Sequence, residues 1–106
     1  MRSRSAYRKL EDVVGCKWSV SVLLAVKEGI NRPGALERHI DGISTKVLSE
    51  RLRKLTAYGL MTKQSFPEVP PRTEYSLTTS GEKLIGIIRQ IHDLDVALSE
   101  QSGGER

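Results

Sequence analysis

Apolar residues recur at helical spacing near the start of the chain and predict two consecutive helices. They run from Leu10 to Val26, with an interruption at Gly15. We therefore expect two helices that meet at Gly15 and Cys16. The second helix should end at Gly29, because glycine readily adopts the left-handed conformation that follows the last turn of many helices.

The next apolar positions predict two helices joined by a tight turn over residues 33–58. Pro33 suits the first turn of a short helix over residues 33–40, since its missing N–H would have no partner inside the helix. Gly42 favours a turn, and the hydroxyl of Ser44 can cap the second helix. Two helices joined by three or four residues that include a glycine predict a helix-turn-helix.

The following segment predicts a β-hairpin. Residues 60–66 and 72–77 are rich in β-compatible side chains, and the link between them holds three prolines. A proline cannot continue a strand ladder, because it lacks the N–H donor. We expect a hairpin with a stiff tip over residues 60–77, and a hairpin directly after a helix-turn-helix is a wing.

The last helix is predicted over residues 79–99 and begins with a capping box formed by Thr79 and Glu82. Its apolar residues then step by three and four positions, as in a coiled-coil seam. Ile85 and Ile88 widen this apolar surface beyond what one small domain can cover, so we expect a second copy of the chain to cover it. The residues predicted at this dimer interface are Leu84, Ile87, Ile88, Ile91, Leu94 and Leu98.

Together these elements predict a mainly α fold with a β-hairpin wing, a winged helix-turn-helix that dimerises through its terminal helices. With 106 residues the chain is long enough for one domain and too short for two. We expect this single domain over residues 1–106, with an N-terminal arm over residues 1–8 and a frayed tail over residues 100–106.

Composition and charge favour a soluble protein with an anionic partner. The chain is 38% hydrophobic and 28% charged, and no apolar run could cross a membrane or act as a signal peptide, so we expect a cytoplasmic protein. The net charge is +4. Residues 1–77 hold 14 Lys and Arg against 8 Asp and Glu, whereas residues 78–106 hold 3 against 5. The basic surplus therefore lies entirely in the part that contains the helix-turn-helix and the hairpin.

Double-stranded DNA is the partner that this arrangement predicts, because its major groove admits one helix and its phosphates attract cations. The basic face of the helix over residues 44–58 lies opposite an apolar stripe. The residues predicted to contact DNA from this helix are Ser44, Thr45, Lys46, Ser49, Arg53 and Lys54. Lys63 and Arg72 of the hairpin are expected to meet the DNA backbone or the minor groove. The cluster Arg2, Arg4, Arg8 and Lys9 is either an arm that contacts DNA or a solvated tail.

Cys16 is the only cysteine, which excludes an internal disulfide and a metal site with several cysteines. His39 and His92 have no metal-ligand spacing, so we expect no metal and no cofactor. The chain has no Gly-rich phosphate loop and no sequence pattern for nucleophilic catalysis, which argues against an enzyme. Cys16 is a candidate redox sensor, because it stands at the predicted start of a helix beside Lys17. A buried, inert cysteine is the alternative.

The chain resembles the HxlR family of bacterial and archaeal winged-helix regulators, which is related to the MarR group. The resemblance covers about residues 5–90. It rests on several segments of the sequence. These are GCKW over residues 15–18, residues 42–48, residues 52–55, residues 58–60, and residues 67–77, together with Thr78 and Gly81. It implies a homodimer joined through terminal helices, with the second helix of each helix-turn-helix in a major groove, and it places Lys46, Ser49 and Arg53 at recognition positions.

Three positions depart from the family pattern. Many members have a sensing cysteine thirteen residues before the tryptophan, where this chain has Ser5. Cys16 stands where the family has a second glycine, and residues 32–36 differ from the family's pattern in the first helix of the helix-turn-helix. The resemblance therefore implies no sensing through the family's usual cysteine, and a small-molecule effector, if there is one, is unidentified.

The function expected from the sequence is a sequence-specific, DNA-binding transcriptional regulator of the HxlR type. It should bind a pseudo-palindromic operator as a homodimer. The alternative is a winged-helix protein-interaction module without DNA binding. The basic face of the second helix favours the first, since an interaction module would not need it.

Overall fold

The computed structural model describes residues 7–104, with side chains as far as residue 101, and is mainly helical with one antiparallel hairpin. The predicted fold class is confirmed. In chain order, the helices and strands of this part of the chain are α1 (Arg8–Val14), α2 (Lys17–Lys27), α3 (Pro33–His39), α4 (Thr45–Ala57), β1 (Met61–Phe66), β2 (Arg72–Leu77) and α5 (Thr79–Gly104).

The helix ends follow the signals in the sequence closely. Gly15 and Cys16 separate α1 from α2, as predicted. After α2, Gly29 has a φ of 98°, and the N–H of Ile30 donates to the carbonyl of Ala25 at 3.1 Å. This bond satisfies a carbonyl that the end of the helix would otherwise leave unpaired.

The helix-turn-helix consists of α3, a short turn and α4. Gly42 in the turn has a φ of 85°, a conformation that strains any residue with a Cβ. The Ser44 hydroxyl oxygen accepts a hydrogen bond from the N–H of Val47 at 3.1 Å and so caps α4, as predicted. Three leucines of α4 are buried and fix its inner face against the core: Leu48, Leu52 and Leu55.

The hairpin pairs Met61 with Leu77 at its base and Phe66 with Arg72 at its tip. It is tied to the helix-turn-helix by a backbone bond, in which the N–H of Tyr75 donates to the carbonyl of Asn31 at 2.9 Å. Tyr75 is also buried in the core. The wing is therefore anchored beside the start of α3.

The predicted cap of α5 is wrong by one residue. The hydroxyl oxygen of Thr78, and not of Thr79, accepts the N–H of Gly81 at 3.0 Å. The Thr78 hydroxyl also donates to the carbonyl of Gly59 at 2.7 Å. This contact with the end of α4 favours Thr78 over Thr79 as the cap. Glu82 does not complete a capping box and instead forms an ion pair with Lys27 at 2.7 Å.

Two expectations about α5 need correction. Ile85 and Ile88, expected to exceed what one domain could cover, are buried in the protomer's own core, where α5 packs against α2 and β2. The helix also continues to Gly104, so the predicted frayed tail is helical as far as the structure describes it. Glu100 and Gln101, which begin this stretch, are good helix formers. None of the helices described is both long enough and apolar enough to cross a membrane.

Candidate nucleic-acid interface

Three side chains predicted to contact bases project together from the outer face of α4. Lys46, Ser49 and Arg53 stand three and four positions apart, which places them on one side of a helix, and all three are exposed. Within the part of the chain that the structure describes, these side chains make no hydrogen bond or ion pair. Two cations and a hydroxyl are therefore available to an external partner.

Two other predicted contacts are engaged in the turn before α4. Ser44 caps the helix, as described above. The Thr45 hydroxyl donates to a carboxylate oxygen of Glu37 at 2.6 Å, which links α3 to α4 across the turn. Both side chains hold the helix-turn-helix together, since each hydroxyl makes a hydrogen bond within the protein.

Lys54 faces α1 and not the outer face of α4. Its Nζ lies 3.0 Å from Oδ2 of Asp12, and the Tyr58 hydroxyl donates to the same oxygen at 2.9 Å. The hydrogen bond from Lys54, followed by the one from Tyr58, lowers the pKa of Asp12 below its ordinary value. The bond to Asp12 also raises the pKa of Tyr58. Lys54 thus joins α4 to α1 in a compensated pair.

The two predicted wing contacts differ in their surroundings. Arg72 lies 3.2 Å from a carboxylate oxygen of Glu68 and 3.3 Å from one of Glu74, with its guanidinium 4.0 Å from the centre of the Phe66 ring. Lys63 pairs across the hairpin with Tyr75 and is exposed, and its side chain has no ion partner among the described residues. Arg72 and Lys63 project from opposite faces, because side chains alternate along a strand.

Cys16 occupies the N-cap position of α2 and is partly buried. Burial raises the pKa of its thiol, but the nearby Ser19 hydroxyl and the N–H groups of Ser19 and Trp18, with the charge of Arg51, favour the thiolate and lower the pKa overall. The thiol therefore has more thiolate character than an ordinary cysteine. A sensing role stays a prediction, and Ser5, Arg2 and Arg4 lie outside the described residues.

Arg51 was not among the predicted site residues. Its Nε is buried without a hydrogen-bond partner in the described part of the chain, and its charge lowers the pKa of both Asp12 and Cys16. The helical spacing could have indicated that Arg51 and Arg53 lie on different sides of α4, because residues two positions apart point in very different directions around a helix. Its contribution is to bring positive charge to the inner side of α4, near α1 and α2.

Metal binding finds no support in the geometry. Among the residues that the structure describes, His, Cys, Asp and Glu side chains form no group of three that could hold an ion. His39 instead lies 3.8 Å from a carboxylate oxygen of Glu28.

The predicted dimer interface divides into two sets. Leu84 and Ile88 are only 3% and 8% exposed and belong to the protomer's own core, so they cannot meet a partner without unfolding. The four others are 46–61% exposed: Ile87, Ile91, Leu94 and Leu98. Periodicity correctly placed all six on α5 but did not separate its inner from its outer apolar positions.

With this geometry established, comparisons with known proteins identify the family. The family of HxlR-like helix-turn-helix proteins matches residues 13–102. The chain belongs to this family. It is similar to an HTH-type transcriptional regulator of Synechocystis, with 38% identity over 89% of this chain and 70% of the relative. It is also similar to the regulatory protein MalR of Fusobacterium mortiferum, with 39% identity over 74% of this chain and 76% of the relative.

Solved structures agree with this assignment. A MarR-family transcriptional regulator from Enterococcus faecalis shares 29% identity with a TM-score of 0.81, over 97% of this chain and 94% of that one. The redox regulator HypR in its reduced form shares 28% identity with a TM-score of 0.79, over 94% and 99%. This HxlR-family protein is thus a transcriptional regulator with a winged helix-turn-helix DNA-binding domain.

Proposed function

We propose that this HxlR-family chain binds a pseudo-palindromic DNA operator as a homodimer, with α4 of each protomer in a major groove. The observation that carries the proposal is the outer face of α4. There Lys46, Ser49 and Arg53 are exposed and unpaired among the described residues, whereas Thr45 and Lys54 have partners within the protein.

The chemistry of this face suits base edges. Lysine and arginine donate to the O6 and N7 acceptors of guanine, and serine can donate or accept. Because Lys46, Ser49 and Arg53 span two turns of α4, they extend about 10 Å along the helix. That length lets them reach successive base pairs in one half-site.

On the wing, we propose Lys63 as the contact with the DNA backbone. A phosphate could recruit Arg72 only by displacing Glu68 or Glu74, which already neutralise it at 3.2 and 3.3 Å. Arg72 would then serve mainly to hold the hairpin tip in shape.

The exposed apolar side chains of α5 support the homodimer. A second copy that covers them would give the protein a two-fold axis, and a two-fold protein matches an operator with two inverted half-sites. The half-sites should then lie about 34–36 Å apart, one turn of DNA, or a multiple of that spacing.

The test is selection of binding sites from a random duplex library with the full chain, followed by affinity measurements over a range of salt concentrations. An inverted repeat should be enriched, and log affinity should fall with log salt by roughly 0.9 for each phosphate contact. If no sequence is enriched and affinity does not respond to salt, the proposal is wrong.

A further inference from the structure

Asp12 joins the helices α1 and α4 through a single carboxylate oxygen. Its Oδ2 lies 3.0 Å from Nζ of Lys54 and accepts a hydrogen bond from the Tyr58 hydroxyl at 2.9 Å. Lys54 belongs to the last turn of α4, and Tyr58 is the C-cap residue of this helix. Lys9, one turn before Asp12 on α1, adds a contact, with its Nζ 5.8 Å from the centre of the Tyr58 ring. Polar contacts from α1 therefore hold the C-terminal end of α4, and we call the two bonds to Asp12 the Asp12 anchor.

We propose that Asp12 is a positioning residue for DNA recognition. By holding the end of α4, it fixes the rotation of this helix about its axis and so increases the preference of the protein for its operator. This inference rests on the proposed operator binding and names a residue outside the DNA face on which specificity depends. Asp12 acts through Lys54 and Tyr58 and makes no contact with DNA itself.

Two polar attachments, one at each end, fix the rotation of α4 more closely than its apolar face does. Apolar contacts are not directional, whereas hydrogen bonds are. Near the N-terminal end, the Thr45 hydroxyl donates to a carboxylate oxygen of Glu37 on α3 at 2.6 Å. Near the C-terminal end, Lys54 takes part in the Asp12 anchor, about 14 Å farther along the helix. The three candidate base-reading residues lie between these two attachments.

Small rotations of α4 matter because its base-reading side chains end far from the helix axis. A helix with its side chains is about 10–12 Å across, so a rotation of about 10° moves a side-chain end at the surface by about 1 Å. The N–H···O distance of a hydrogen bond spans only about 2.7–3.2 Å. Arg53 directly precedes Lys54 in the chain, so we expect release of the Asp12 anchor to displace its guanidinium from the base that it reads.

The charge of Asp12 alone predicts a different effect, which makes the proposal testable. Removing this carboxylate raises the net charge of +4 by one unit and releases Lys54, and both changes favour any DNA duplex through its phosphates. A charge effect would therefore raise affinity for operator and scrambled duplexes alike. Loss of positioning instead lowers the ratio of the two affinities, because contacts with base edges distinguish the duplexes and contacts with phosphates do not.

Fluorescence anisotropy on the selected operator and on a scrambled duplex measures this ratio for each variant. Asp12→Ala should lower the ratio roughly 3- to 10-fold, since a displaced contact loses part of the discrimination that a bidentate pair provides. Tyr58→Phe, which removes only the hydroxyl, should lower the ratio by a smaller factor. Added to Asp12→Ala, Tyr58→Phe should have no further effect, because the first change has already broken the same bond.

Glu11→Ala is the matched control. Glu11 is another exposed carboxylate of α1, one position before Asp12, and its side chain forms no hydrogen bond or ion pair with the other described residues. This variant removes the same charge and should leave the ratio unchanged. Circular dichroism and thermal melting show which variants are folded at the temperature of the binding measurements.

A ratio that falls for Asp12→Ala and for Tyr58→Phe without additivity, and stays unchanged for Glu11→Ala, supports the proposal. A ratio that Asp12→Ala leaves unchanged overturns it, whether both affinities rise through charge or fall together, and operator binding then still stands. If Asp12→Ala does not fold, Tyr58→Phe decides in the same way. An unmodified chain that binds both duplexes equally overturns operator binding itself, and this inference with it.

Discussion

Replacing Arg53 with alanine should weaken binding to the selected operator far more than replacing Lys54 with alanine. A bidentate contact between arginine and guanine contributes about 1–3 kcal/mol of discrimination, so Arg53→Ala should lower affinity roughly 5- to 150-fold. Lys54→Ala should change affinity by less than this range.

The comparison is sharp because the two variants are matched. Each removes one positive charge from α4, one position apart, so the long-range attraction to DNA falls by a similar amount. They differ in local pairing: Lys54 lies 3.0 Å from the carboxylate of Asp12, while Arg53 has no partner among the described residues. Only Arg53 can reach a base without first breaking an ion pair.

Fluorescence anisotropy on the operator, on its single-base variants and on a scrambled duplex measures the effect, with circular dichroism to show that both variants fold. Arg53→Ala should relax discrimination at one base pair of each half-site. Equal losses for Arg53→Ala and Lys54→Ala would refute the reasoning. So would a uniform loss on all duplexes with a smaller salt slope, which would make Arg53 a phosphate contact.

Four further changes test the scaffold around this face. Gly42→Ala should destabilise the fold by about 1–2 kcal/mol, since its φ of 85° strains an L residue, and an unchanged chemical denaturation midpoint would contradict this. Thr78→Ala removes the cap of α5 and should cost about 1 kcal/mol, which lowers the melting temperature by roughly 4–8 °C; equal melting would show that the cap is dispensable. Asp12→Asn should lose up to about 1 kcal/mol at neutral pH, because the pair with Lys54 is surface-exposed. The pKa of Asp12 is depressed on folding, so its stabilisation is present above the ordinary value and fades as pH falls through the depressed one; the difference from the parent chain should vanish in acid, and a difference that persists there would argue against the pair. Alkylation of Cys16 should follow a pH midpoint below that of a cysteine in a short unstructured peptide measured alongside, because the pKa of the Cys16 thiol is lowered, and a midpoint at or above that of the peptide would contradict this.

Local chemistry explains which boundaries could be predicted from the sequence. The ends of α2 and α4 are set by Gly29 and Gly59, which have φ of 98° and 83°, and the start of α4 is set by the Ser44 hydroxyl. These signals act within a few residues. The predicted cap of α5 is wrong because Thr78 and Thr79 offer the same hydroxyl group at adjacent positions. Which of them caps the helix depends on the carbonyl of Gly59, which is distant in the sequence.

The outer and inner sides of α5 could not be separated by periodicity. Leu84 belongs to the same heptad stripe as the exposed residues Ile87, Ile91, Leu94 and Leu98, and Ile88 lies beside that stripe. Leu84 and Ile88 are buried where α5 crosses its own domain, whereas the later residues of the stripe are exposed. A single apolar stripe is therefore buried in its own domain near the start of the helix and exposed farther along it. Only the tertiary structure shows where the buried part ends.

The pairing state of each polar side chain on α4 defines the candidate DNA face more narrowly than charge does. The sequence predicted six DNA contacts from α4 and its N-cap. Two of these residues, Thr45 and Lys54, instead pair with Glu37 and Asp12. Because Glu37 and Asp12 belong to other helices, the sequence around Thr45 and Lys54 does not indicate the pairing. A cation that is already neutralised displaces few counterions from DNA and must break its pair to reach a base. The affinity contributed by α4 should therefore depend on Lys46 and Arg53, while Lys54 contributes through the position of the helix.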